Sequence, residues 1–108
     1  MKVKLNLGER IGMLAILPAE ANFVTLKVLR ALKETLGVKE EEFKKYEIKQ
    51  EGDQVKWSDK GLEEVEFEIG DKAEEIIIEV LEDLNKKKKL TENHFSMYEK
   101  FVRGVGEH

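Results

Sequence analysis

The sequence predicts an α+β fold, with a small, mostly antiparallel sheet of about four strands packed against helices. Three observations carry that expectation. Apolar and polar residues alternate over residues 2–7 and 63–69, the two-residue period of a half-buried strand. Apolar residues recur at spacings of three and four over residues 22–36 and 71–88, the period of an amphipathic helix. Between these regions Glu51-Gly52-Asp53-Gln54 separates two short runs and reads as a tight hairpin turn.

In the first strand, residues 2–7, Val3, Leu5 and Leu7 share one face, and Gly8 stops the run. A helix over residues 9–17 follows, carrying Ile11, Leu14 and Leu17, with Met13 and Ile16 widening the face. Gly12 costs about 1 kcal/mol inside a helix, so a buried strand is the competing reading. Pro18 ends the segment by pushing the residue before it out of the helical region.

Asn22 is the expected N-cap of a helix over 22–36, with Thr25, Val28, Leu29, Leu32 and Leu36 inward and Gly37 as its stop. A short helix over 39–45 is expected to be anchored by Phe43. Strands 46–51 and 54–58 then form the hairpin, with Gln50 opposite Val55, Lys49 opposite Lys56 and Ile48 opposite Trp57. Ser58-Asp-Lys-Gly61 turns the chain into strand 63–69.

The long helix, 71–88, begins with Asp71, Glu74 and Glu75 and ends in Lys86 to Lys89, which offsets its dipole at both ends. Its stripe is Ala73, Ile76, Ile77, Val80, Leu81 and Leu84, with Ile78 to one side. Thr91 caps a last helix, 91–102, whose apolar side is expected to be Phe95, Tyr98 and Phe101 with Val102. Residues 1–103 read as a single domain and 104–108, Gly-Val-Gly-Glu-His, as a flexible tail.

An internal echo links the two ends. Val3-Lys-Leu-Asn-Leu-Gly-Glu-Arg10 resembles Val65-Glu-Phe-Glu-Ile-Gly-Asp-Lys72. If these strand-glycine-helix units lie side by side, Lys2 and Lys4 face Glu64, Glu66 and Glu68 across the outer surface of the sheet.

Composition narrows the function classes. Charged residues make up 39% of the chain, both signs are interspersed, and the net charge is −4. Such a surface has no general attraction for nucleic acid or anionic membrane. The absence of cysteine excludes disulfides, thiolate zinc sites and a cysteine nucleophile. Met1-Lys-Val-Lys-Leu lacks the apolar run of a signal peptide, and no apolar stretch approaches the roughly 18 residues that span a bilayer, so a cytoplasmic location is expected.

No catalytic set emerges. His94 has no second histidine at ligand spacing, and the carboxylates Glu63, Glu64, Glu66 and Glu68 have no partner for acid–base chemistry. Gly8-Glu9-Arg10 and Gly70-Asp71-Lys72 open helices whose N-termini are candidate phosphate sites, but each places an acid where the anion would sit. The lysines around the hairpin are interleaved with Glu40 to Glu42, Glu47, Glu51 and Asp53, unlike a nucleic-acid face. Ile78 and Met97 lie off the main stripes and are candidates to face a partner. Trp57 is a candidate binding anchor whose competing role is core packing on Ile48, Phe67 and the long helix.

Several phrases carry a resemblance: Leu5-Asn-Leu-Gly-Glu-Arg-Ile11, Val24-Thr-Leu-Lys-Val28, Lys49-Gln-Glu-Gly-Asp-Gln-Val-Lys-Trp57, Lys89-Leu-Thr-Glu-Asn-His94 and Tyr98-Glu-Lys-Phe101. Together they resemble small uncharacterised proteins of bacteriophages and prophages, over about residues 3–102. The resemblance implies a phage or prophage setting in a bacterial cell and brings no activity or site residues with it. The function expected is a non-enzymatic protein–protein interaction module, an accessory factor acting by binding a protein partner, with self-association as one route and no cofactor. A small-ligand or nucleotide-binding protein using helix N-termini is the alternative, and nucleic-acid binding ranks below both.

Overall fold

A computed structural model describes residues 1–103; the expected tail, 104–108, lies outside the described residues. The elements run β1 (Lys2–Leu5), α1 (Leu7–Ile16), α2 (Phe23–Leu36), α3 (Glu40–Lys45), β2 (Lys49–Glu51), β3 (Gln54–Lys56), a 3-10 turn (Asp59–Leu62), β4 (Val65–Glu68), α4 (Asp71–Lys86) and α5 (Glu92–Phe101). The α+β class holds, and both strand pairings are antiparallel.

The strands do not form one sheet of four. β1 pairs with β4, and β2 pairs with β3 as a separate hairpin. In the first pair Lys2 lies opposite Glu68 and Lys4 opposite Glu66, so the two strand-helix units are adjacent and opposite charges face each other on the outer side. Val3 and Leu5 point inward and are buried. Met1 extends the ladder by exchanging two main-chain hydrogen bonds with Ile69, of 2.6 and 2.7 Å.

The hairpin has the expected register, Lys49 with Lys56 and Gln50 with Val55. Gly52 has φ of 62° while Asp53 keeps a negative φ, the pattern of a type II′ turn. All six strand residues are exposed. Val55 is the one apolar residue among them, so little draws the hairpin onto the core. Its attachment is at its feet, where Tyr46 is buried and Ser58 N donates to Tyr46 O at 2.8 Å. Tyr46 thereby takes the anchoring role expected of Phe43, which is half-exposed.

α1 begins earlier than expected. Asn6 caps it: the Asn6 side chain accepts from Glu9 N, and Glu9 Oε1 accepts from Asn6 N, both at 2.9 Å. The strand therefore ends at Leu5, Leu7 enters the core as the first helical residue, and Gly8 lies inside the first turn.

One cluster of buried side chains joins the elements. Leu5 from β1, Met13 from α1, Leu29 and Leu36 from α2, Ile77 and Leu81 from α4, and Met97 and Phe101 from α5 all belong to it. α5 is rotated from its expected setting. Met97 is 0% exposed while Phe95 is 63% exposed. The reason lies in α1: a Cβ at Gly12 would come within 3.3 Å of Met97 Cε, so the helices approach over that glycine and Met97 fills the contact. The expectation that Met97 faces a partner is thus corrected.

Candidate functional site

Two polar residues of α1 are buried where a small core would normally admit only apolar ones. Glu9 and Arg10 sit in the first turns, and their side chains reach different parts of the fold. Arg10 donates to Leu36 O at 3.1 Å and Gly37 O at 2.8 Å, and makes a two-pronged contact with Glu42 at 2.7 and 3.0 Å. Its guanidinium also lies 5.0 Å from the centre of the Phe67 ring. Glu9 receives Lys100 Nζ at 2.8 Å and Ser96 Oγ at 2.7 Å. Lys100 further donates to Glu64 and to Lys4 O, drawing α5 onto β1 and the start of β4.

The electrostatics follow from these contacts. The Arg10 hydrogen bonds, opposed by burial, hold the Glu42 carboxyl below its ordinary value. For Glu9, burial pushes upward, but the bonds from Lys100, Asn6 N and Ser96 outweigh it and the carboxyl is also lowered. Burial likewise pushes the Lys100 ammonium down, and its bonds to Glu64 and Glu9 outweigh that and raise it. These groups stay ionised near neutral pH and are saturated with partners. Their chemistry is that of a tether between α1, α3, α5 and the sheet rather than of a proton donor.

Trp57 stands beside this tether. A Cβ at Gly61 would lie 2.5 Å from Trp57 Cδ1, and one at Gly8 would lie 3.4 Å from Cζ2. The indole is therefore seated against the 3-10 turn and the first turn of α1, half-buried. It lines a shallow hollow of about 350 Å³ with Asn6, Glu9, Glu92, Asn93 and Ser96. Among the described residues, no group of three or more His, Cys, Asp or Glu is placed to hold a metal ion.

A second, larger concavity lies on the other side of α5. It is a groove of about 540 Å³ between the end of α4, the connecting loop and α5. Leu90, Phe95 and Tyr98 supply its apolar surface; Asn85, Thr91, Glu92, Glu99 and Arg103 supply its rim. Asn85 Nδ2 donates to Tyr98 OH at 3.3 Å, which ties the end of α4 to α5. His94 has a structural task at the base of α5, where Nδ1 accepts from Thr91 N at 3.1 Å.

The candidates from sequence fall in different places. Trp57 borders the hollow, Ile78 is partly buried against the core, and Met97 is interior. Periodicity passed over Glu9, Arg10 and Lys100 because charged residues are scored as surface. The Asn6-x-x-Glu9 spacing was the available signal for the cap. The sequence places Phe95 inward because residues 95, 98 and 101 read as one helical stripe; Met97 lies roughly 160° from Phe95 around the helix, and the buried face that includes Met97 shares only Phe101 with that stripe. At both helix N-termini proposed for phosphate, acids occupy the first turn: Glu9 on α1, and Asp71 and Glu74 on α4. Two of the lysines near the hairpin are engaged, Lys45 with Glu63 at 3.6 Å and Lys56 with Glu51 at 3.1 Å. Among the described residues no helix is long and apolar enough to cross a membrane.

Comparison with protein-family models, with curated proteins and with solved structures found no match for this chain.

Proposed function

We propose that this chain is a non-enzymatic protein–protein interaction module that binds through the groove between the end of α4 and α5. One observation carries the reading: Phe95 is 63% exposed and lines a concave surface together with Leu90 and Tyr98. An aromatic side chain held on a helix at the wall of a groove is the kind of anchor that dominates binding energy at interfaces. The carboxylates of buried Glu9 and partly buried Glu42 support the non-enzymatic part of the reading, because their oxygens are occupied by donors from their own chain. In the phage or prophage setting that the sequence resemblance implies, the module acts as an accessory factor that covers a partner's surface.

A photo-crosslinking amino acid at position 95, compared with one at the exposed position 79 on α4, tests this in producing cells. Discrete protein adducts from position 95 and none from position 79 are the expected result. Absence of adducts from position 95, or the same adducts from both positions, would overturn the reading.

A further inference from the structure

The groove-lining face of α5 is complementary to itself. Glu92 stands at its N-terminal end and Arg103 at its C-terminal end, and both line the groove with Phe95 and Tyr98. The helix from Glu92 to Phe101 is about 14 Å long, and Arg103 borders the same groove just past its end. The helix itself ends at Phe101: Val102 N donates to Tyr98 O at 2.9 Å, and Arg103 N reaches the same carbonyl at 3.1 Å from five residues on, which keeps Arg103 against the last turn beside Tyr98. A face with an acid at one end, a base at the other and an exposed aromatic between them matches its own copy when the two run antiparallel.

We propose that the occupant of this groove is a second copy of the chain, docked about a two-fold axis that passes near residues 97 and 98 of α5. This rests on the interaction reading above and names its partner. In the pair, Glu92 of each copy meets Arg103 of the other, and each Phe95 packs over the other copy's Tyr98. A two-fold interface repeats every contact, so each favourable pair counts twice. Glu99 falls near the axis, where it approaches its own copy. A single helix face is at the small end of specific interfaces, so the dimer forms reversibly, with a dissociation constant on the order of 1–100 μM.

Sedimentation equilibrium of the full chain from 1 μM to 1 mM tests the proposal, with circular dichroism confirming that each variant is folded. Glu92→Arg and Arg103→Glu alone each weaken the dimer by about tenfold or more, since two attractions become two repulsions. The double variant Glu92→Arg/Arg103→Glu restores the wild-type constant to within about threefold, an outcome that damage to the monomer would not produce. Phe95→Ser weakens the dimer by about a hundredfold, and Glu99→Gln tightens it by about threefold. A chain that stays monomeric at 1 mM, or a dimer indifferent to the charge swap, would overturn the proposal. The position-95 crosslink separates the two failures: an adduct with a different protein overturns only the second-copy proposal, and no adduct overturns the interaction reading with it.

Discussion

Glu9 and Arg10 are neighbours in the chain and connect different parts of the fold. Arg10 closes the end of α2 onto α3, satisfying two main-chain carbonyls and both Glu42 oxygens. Removing the buried guanidinium leaves two main-chain carbonyls and a partly buried carboxylate without their donors, so Arg10→Ala is expected to cost about 3–5 kcal/mol, read from urea unfolding. Arg10→Lys keeps the charge but cannot reproduce the two-pronged geometry, and its loss should be a substantial fraction of that. The pH dependence follows from the lowered carboxyls. Glu9 and Glu42 have folded pKa values below the ordinary 4.5, so unfolding at low pH takes up protons. Their stabilisation is complete above about pH 4.5 and is lost as pH falls through the folded values. The Lys100 contribution runs the other way: it is complete below pH 10.5 and is lost as pH rises through its raised value. Melting curves between pH 7 and pH 2 check the acid side. Glu42→Gln should lower Tm at pH 7 and flatten the decline below pH 4.5, whereas parallel curves would contradict the role of this carboxylate.

At the scale of elements, two helix ends share one device. α3 closes with Ile48 N donating to Phe43 O and Glu47 N to Lys44 O; α4 closes with Lys89 N donating to Leu84 O and Lys88 N to Asn85 O. Both are Schellman closures, and the residue that must be left-handed is Glu47, φ 54°, or Lys88, φ 58°, where glycine is usual. Lys88→Gly is therefore expected to stabilise the protein by about 0.5–1 kcal/mol, after allowing for the greater freedom of glycine when unfolded. Lys87→Gly, at a right-handed position, should destabilise by a similar amount, and the pair of denaturation midpoints checks the sign. The 3-10 turn provides the opposite case. Gly61 lies under Trp57, so Gly61→Ala must displace the indole, at a cost of about 1–3 kcal/mol. Trp57 is the only tryptophan, so a shift in the fluorescence spectrum reports the displacement directly.

For the molecule as a whole, what the sequence revealed depended on how local each signal was. The class, the hairpin register and the long helix follow from period and turn chemistry, and the meeting of Lys2 and Lys4 with Glu68 and Glu66 was legible in the echo between the two strand-glycine-helix units. Two separate sheets in place of one of four strands did not follow, because pairing among distant strands is decided by what the core can bury. The hairpin strands offer it only Val55. Nor did the setting of α5: Met97 enters the core through a glycine more than eighty residues earlier, a contact that no local pattern records. That same rotation turns Phe95 outward and creates the groove. The functional reading thus depends on how α5 sits in the whole molecule. Amide chemical shifts recorded from 20 μM to 1 mM locate any contact it makes. Shifts that move with concentration at Asn85 and across residues 90–103, with the hairpin unchanged, are the expected result. Spectra that do not change, or changes centred on α2 or the hairpin, would contradict it.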